Sequence, residues 1–206
     1  MKLYPMFADL AGRAVSVVGG GDVAERKCAA LLAAGARVTV GAPALNAQLA
    51  TWAAQGRIGH VRGRFAEDWL DAAWLVVAAT DDVATNRRVA AAANARRIFV
   101  NVVDDAALST FQVPAIVDRS PLVIAISSGG AAPMVARWVR EKLETLLDPA
   151  LGPLTALLDR RRQAIRARHA NLGARRRFYD RFLAGGVWRF LRSGDRAGAE
   201  RELDRA

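Results

Sequence analysis

Cysteine is nearly absent from this 206-residue chain: Cys28 stands alone, so no disulfide closes within one copy and no cysteine cluster holds a metal. Its place inside the first predicted helix makes it a small core residue. His60 and His169 lie far apart without ligand-type spacing, so the sequence offers no metal site. No uncharged apolar run reaches the ~18 residues of a membrane span, and the N-terminus lacks the basic, apolar and cleavage regions of a signal peptide. A cytoplasmic protein without a membrane partner is the expectation. Internal repeats and low-complexity linkers are also missing. A hydrophobic share of 52% excludes a disordered chain, and 22.1 kDa allows one good core with a small second unit.

What is present is a strand that breaks into glycines and runs straight into a helix: Val17-Val18-Gly19-Gly20-Gly21-Asp22-Val23-Ala24. Ala14–Val18 is a short apolar strand-type run, and Glu25 to Ala34 is rich in Ala and Leu with no breaker. This context matches the G-x-G-x-x-G/A fingerprint of dinucleotide-binding folds. Gly19 makes the tight turn, Gly21 lets a pyrophosphate approach the backbone, and Ala24 allows close packing of helix on strand. The unpaired N–H groups and dipole of the helix N-terminus then face the phosphates. The plainer alternative is an ordinary glycine turn in an α/β sheet.

Apolar runs at Ala14–Val18, Val38–Val40, Leu75–Ala79 and Ile98–Val103 alternate with helical stretches at Asp22–Ala34, Asn46–Gln55 and Val83–Ala95. Ile58–Val61 adds a shorter strand and Phe65–Ala72 a brief helix. The alternation predicts an α/β fold with a Rossmann-like parallel sheet over residues 1–113, its ligands on the edge formed by the strand C-termini. After Asp105 the rhythm changes. Phe111–Val117 and Leu122–Ser127 read as two strands around an Asp118-Arg119-Ser120-Pro121 turn, and Pro133 opens a helix that Asp148-Pro149 stops. This small α+β segment, 114–150, cannot cover its own apolar surface, which predicts a homodimer. Residues 151–206 read as a helical, basic region.

The net charge of +10 is uneven. Residues 1–113 carry 12 Lys and Arg against 10 Asp and Glu, 114–150 carry 4 against 4, and 151–206 carry 14 against 6. A basic C-terminal end suits nucleic acid, an acidic membrane surface or a small substrate bearing several carboxylates. Neither a stacking platform nor a recognition motif for nucleic acid is present, which disfavours that partner.

The candidate catalytic residue is Asp104, at the strand end Asn101-Val102-Val103-Asp104 on the ligand edge. Position alone leaves a proton-handling carboxylate and a turn residue equally open. Asp105 reads as solvated, and Asn101 as a residue that orients a neighbour or the substrate. Thr80, ahead of Asp81-Asp82, is a cofactor contact, while the same stretch also caps a helix. Ser127, Ser128 and Gly129, in Ser127-Ser128-Gly129-Gly130, read either as an anion site for a substrate carboxylate or as a flexible connection. The end of the second strand, Val40-Gly41-Ala42-Pro43-Ala44-Leu45, lacks the acid that usually binds a ribose. It also lacks the Arg or Lys that a 2′-phosphate wants, which favours NAD held by backbone around Pro43 and Ala44 over NADP.

These stretches, with Tyr4-Pro5-Met6-Phe7, Glu25-Arg26-Lys27, Ala78-Ala79-Thr80-Asp81-Asp82, Pro114-Ala115-Ile116 and Arg175-Arg176-Arg177-Phe178, come in one order along nearly the whole chain. Together they resemble the dehydrogenase and chelatase module of siroheme synthase, a family that includes stand-alone precorrin-2 dehydrogenases. The resemblance implies a homodimer with an N-terminal NAD domain, a central dimerisation segment and a C-terminal helical region. It further implies oxidation of precorrin-2 to sirohydrochlorin by NAD+, followed in bifunctional members by insertion of ferrous iron as substrate. Asp104 matches the family's catalytic aspartate, Ser128 its serine at the tetrapyrrole site, and Asp22, Val23, Pro43 and Ala44 its dinucleotide contacts. Ala106 stands where several relatives carry Pro, and a stand-alone enzyme and half of a longer protein with a methyltransferase domain both stay open. The rival reading is a dimer that senses NAD without turnover.

Overall fold

A computed structural model describes residues 3–206. The chain forms two compact units, one ending at Val113 and the other running from Pro114 to Ala206.

In the first unit, strands β1 (Ala14–Val18), β2 (Arg37–Ala42), β3 (Gly59–Arg62), β4 (Leu75–Ala78) and β5 (Phe99–Val102) make a parallel sheet in the order β3-β2-β1-β4-β5. Helices α1 (Asp22–Ala33), α2 (Ala47–Ala54) and α3 (Val83–Ala95) supply the crossovers. Successive side chains of a strand point to opposite faces, so each strand feeds two cores. Val15, Val17, Val40 and Val77 pack with Ala24 and Cys28 of α1 and Leu49 of α2. Val18, Val76, Val100 and Val102 pack with Val89, Ala90 and Ala93 of α3. Burying each such valine contributes about 1.5 kcal/mol or more. The chain steps outward from β1 to β2 and β3, then crosses back to the other side of β1 for β4 and β5, which puts the switch point of the sheet between β1 and β4.

The free edge of β5 is closed by its own following loop. Val100 N–H donates to Thr110 Oγ1 at 2.8 Å and Val102 N–H to Ser109 Oγ at 2.9 Å, while Thr110 N–H returns to the Val100 carbonyl at 2.8 Å. Hydroxyls thus stand in for a sixth strand. The expected Phe65–Ala72 helix is shorter, a 3-10 turn at Glu67–Leu70 that places Trp69 over the end of β2.

In the second unit, β6 (Ala115–Arg119) and β7 (Leu122–Ile126) form an antiparallel hairpin. The strand expected from Phe111 begins only at Ala115: Pro114 has no N–H to give a ladder, and the Phe111 carbonyl is taken by Asn101 Nδ2 at 3.2 Å. The turn is also tighter than expected. Asp118 and Arg119 belong to β6, paired with Val123 and Leu122, leaving Ser120 and Pro121 between the strands across a cis bond. Helix α4 (Pro133–Leu146) follows, then α5 (Leu151–Arg160), α6 (Arg162–Arg168), α7 (Leu172–Ala184), α8 (Val187–Arg192) and α9 (Arg196–Arg205). Leu154, Leu157, Ile165, Phe178, Phe182 and Leu203 form the core of this helical part. Arg119 ties β6 to α4 through Glu144 Oε2 at 3.0 Å and the Glu144 carbonyl at 3.0 Å. On α4, Met134, Val135 and Trp138 stay exposed. Among the described residues, no helix is long and apolar enough to cross a membrane.

Candidate functional site

The site is built at the corner where β1 meets α1, and its three glycines differ in what surrounds them. A Cβ on Gly19, whose φ is 127°, would lie 2.2 Å from the Ala79 carbonyl oxygen. One on Gly20 would lie 1.9 Å from the Ala44 carbonyl oxygen. Both glycines are therefore required by neighbouring backbone from β4 and from the end of β2. At Gly21 nothing lies within 4 Å of the same position. Gly21 is the N-cap of α1 and gives it no side-chain hydrogen bond, so the first N–H groups of the helix have no side-chain cap. A closed side made of protein and an open side made of bare main chain fit a diphosphate. Asp22 and Val23 open α1 at this corner, and Ala24 behind them is fully buried.

Pro43 and Ala44 follow β2 and meet the glycine corner directly, since Asn46 N–H donates to the Gly20 carbonyl at 2.8 Å. Asn46, unremarked in the sequence, is a junction. Its Oδ1 caps α2 by accepting from Leu49 N–H at 3.0 Å, and its Nδ2 donates to Asp22 Oδ1 at 3.0 Å and Glu25 Oε2 at 2.7 Å.

Thr80, after β4, lies on the same sheet edge but is held from behind. Its hydroxyl donates to Oδ1 of buried Asn86 at 2.7 Å, and Asn86 Nδ2 donates to the Thr80 carbonyl at 2.8 Å. Asp82 is the cap of α3, accepting from Ala84 and Thr85 N–H groups, each at 3.1 Å. The Thr85 hydroxyl and these two N–H groups hold its carboxyl below the usual range.

Asp104 is exposed on the turn after β5, with φ of 59°, a left-handed conformation uncommon for a non-glycine residue. The turn is closed by Asp105 N–H donating to the Val102 carbonyl at 3.2 Å. Asp105 is not the solvated residue expected: its Oδ1 accepts from Ala107 and Leu108 N–H groups at 3.0 and 3.1 Å and shapes the loop. Ser109 completes the arrangement, its hydroxyl lying 2.7 Å from the Asp105 carbonyl and 3.2 Å from the Val102 carbonyl. Asn101 is buried and spends its amide on the Phe111 carbonyl, so what it orients is this loop. Val103 and Phe111 pack against the cluster containing Ala24 and Cys28, which brings the turn to the side of the sheet occupied by α1. There Lys27 is half-buried. Burial, with Arg26 behind it, pushes its ammonium below the usual range, while Asp104 pulls the other way.

Gly19, Gly20, Gly21, Asp22, Val23, Pro43, Ala44, Thr80, Asn101 and Asp104 thus share the strand-end edge of the first unit. Ser127, Ser128 and Gly129 belong to the second unit, between β7 and α4. Ser127 Oγ accepts from Gly129 N–H at 3.0 Å and Ser128 Oγ from Ala132 N–H at 3.1 Å, so this connection is internally bonded ahead of α4. His60 is exposed, its Nε2 3.0 Å from the Ala42 carbonyl, and His169 is half-buried, stacked on Phe178 at 4.8 Å. Among the described residues no group of His, Cys, Asp and Glu could hold a metal ion.

Three family models match in succession. That described as "Putative NAD(P)-binding" covers residues 6–115, "Sirohaem biosynthesis protein central" covers 119–146, and "Sirohaem synthase dimerisation region" covers 150–206. The last description attaches dimerisation to the C-terminal helices, where the sequence suggested 114–150. The siroheme synthase of Xylella fastidiosa (strain M12) is 55% identical over 99% of this chain and 43% of its own length. Siroheme synthase 3 of Aeromonas hydrophila subsp. hydrophila is 49% identical over 99% of this chain and 44% of its own length. The chain therefore spans less than half of these relatives. Among solved structures, SirC, a precorrin-2 dehydrogenase, superposes with a TM-score of 0.76 at 27% identity, covering 99% of this chain and 100% of that one.

Proposed function

The chain belongs to the family of siroheme synthase N-terminal modules and precorrin-2 dehydrogenases, and on that premise we propose that it oxidises precorrin-2 to sirohydrochlorin with NAD+. The observation that carries this reading is the open main-chain corner at Gly21, on the same sheet edge as the exposed carboxylate of Asp104. When bound, NAD+ supplies the acceptor for the hydride that leaves the tetrapyrrole.

The chain's own residues do the rest. Gly19, Gly20 and Gly21 with the first turn of α1, Asp22 and Val23, hold the diphosphate on N–H groups. Pro43, Ala44 and the backbone around Thr80 line the path of the two nucleosides. Loss of a hydride from precorrin-2 must be matched by loss of a proton, and an Asp104 carboxylate oxygen receives it. Lys27 is the cation facing that carboxylate, and Asn101 acts through the loop as a positioning residue. Ser127, Ser128 and Gly129 take a substrate carboxylate, while the arginines of residues 151–206 draw in a macrocycle ringed by acetates and propionates. We keep the three-part division at residues 113 and 150. Two copies pair, one burying the exposed α4 residues Met134, Val135 and Trp138 of the other. An enzyme drawing on the cellular NAD+ pool works in the cytoplasm.

Insertion of ferrous iron into the product is a second, separable step. It requires the macrocycle's pyrrole protons to leave, which again suits Asp104, and it rests on that carboxylate alone.

Incubating the protein with NAD+ and freshly generated precorrin-2 tests the proposal. Appearance of NADH together with the sirohydrochlorin spectrum is expected. NAD+ binding without either product would make the protein a sensor, and adding ferrous iron after oxidation tests the chelatase step by itself.

A further inference from the structure

The end of β2 offers neither an acid for a ribose nor a base for a 2′-phosphate, yet the fold brings a cation there from another strand. Arg62, the last residue of β3, is in register with Ala42, the last residue of β2. A cavity of about 330 Å³ opens beside them, with Pro43, Ala44, Ala53, His60 and Arg62 in its wall. That volume is within the usual range for small-molecule sites, ~300 Å³ and above. The cavity shares Ala44 with the phosphate corner. Ala44 lines it, and the Ala44 carbonyl oxygen is the atom that a Cβ on Gly20 would meet at 1.9 Å.

The two basic residues differ in availability. His60 Nε2 is engaged with the Ala42 carbonyl at 3.0 Å. The guanidinium of Arg62 is exposed, and among the described residues it has neither a hydrogen bond nor an ion pair. Sites that select NAD usually place a carboxylate here, which binds the ribose diol and repels a 2′-phosphate. Sites that accept NADP place an arginine nearby, because its fork matches phosphate oxygens. At this edge the carboxylate is missing and the arginine is present.

We propose that the cavity beside Pro43 and Ala44 holds the adenosine end of the dinucleotide and that Arg62 binds a 2′-phosphate there, so the chain accepts NADP+ as well as NAD+. The inference rests on the dinucleotide reading given under Proposed function and extends it to cofactor choice. The cation was invisible along the chain because it lies 20 residues beyond Ala42 and is brought alongside only by parallel pairing of β2 with β3.

Titration calorimetry on the whole chain tests this without any tetrapyrrole. NAD+ and NADP+ are titrated into the wild type, Arg62→Gln and Arg62→Glu, with 2′,5′-ADP as the fragment that carries the 2′-phosphate. A charge-assisted contact to phosphate predicts that the ratio of the NADP+ Kd to the NAD+ Kd rises about tenfold or more in Arg62→Glu, with 2′,5′-ADP weakened alongside NADP+. A smaller change in that ratio overturns the inference while leaving the NAD+ reading intact. Failure of the wild type to bind either dinucleotide overturns the underlying reading, and this inference with it. Arg62 is exposed, and matching thermal transitions for the three proteins establish that the variants are folded.

Discussion

Gly20 and Ala44 approach so closely that a Cβ on the glycine would fall 1.9 Å from the alanine carbonyl oxygen, whereas one residue later Gly21 faces nothing within 4 Å. The pair separates glycines needed by the fold from glycines needed by a ligand. Gly20→Ala must displace backbone, and its expected cost is about 2 kcal/mol or more in urea denaturation. Gly21→Val meets open space, with φ of −94° that any residue adopts, so its stability stays within about 1 kcal/mol of the wild type. Its NAD+ affinity falls at least tenfold in calorimetry. Equal stability losses in the two variants would contradict this division.

Thr80 is held through three contacts to the buried Asn86 side chain. Asn86→Ala leaves the Thr80 carbonyl without its partner and the Thr80 hydroxyl with only the Asp82 carbonyl, at 3.1 Å, and should cost about 1–3 kcal/mol. A urea midpoint equal to that of the wild type would show that the contacts carry no net stability.

Cys28 gives a pH signature. Burial, with the charge of Glu25 behind it, pushes the thiol up to about 12 from an ordinary value of 9.0. The folded state therefore keeps a proton that the unfolded chain releases. Its contribution is fully present below pH 9 and is lost as pH rises from 9 towards 12. Relative to Cys28→Ala, the wild type should lose stability across that window at about 1 kcal/mol per pH unit. Parallel stability curves for the two proteins would contradict a buried, neutral thiol.

Along the chain, the elements with strong local signals were legible. The β1 run, the glycines and α1 follow from apolar patterning and a breaker, and α4 from Pro133 and Asp148-Pro149. Contacts made by small polar residues were not. Asn46, Asn86, Ser109 and Thr110 look like loop or helix-surface residues in sequence, and only tertiary placement turns them into the supports of Asp22, Thr80 and Asp104. The strand expected at Phe111 failed for the same reason, because Asn101, Ser109 and Thr110 draw residues 109–111 onto β5 instead of into β6. Arg62 shows the limit of reading a ribose site from one strand end.

On α4, Met134 is 72% and Trp138 58% exposed, one helical turn apart. If a second copy covers them, Trp138→Glu should convert a dimer into a monomer in light scattering, with helical content unchanged. An unchanged mass would place the dimer contact elsewhere.

Ser109 fixes the loop behind Asp104 through the Val102 and Asp105 backbones. Ser109→Ala should lower kcat for precorrin-2 oxidation by about tenfold or more, since small misplacements of a reacting group are costly. Ser109→Thr, which keeps the hydroxyl, should recover most of the loss. Equal kcat in wild type and Ser109→Ala would assign the hydroxyl a purely structural role.

The most direct test compares wild type and Asp104→Ala, following NADH formation from precorrin-2 while NAD+ binding is measured by calorimetry. The account predicts equal NAD+ affinity and a kcat lowered about a hundredfold or more in the variant, a hundredfold being the lower end of what loss of a general base costs. Full turnover by Asp104→Ala would contradict it.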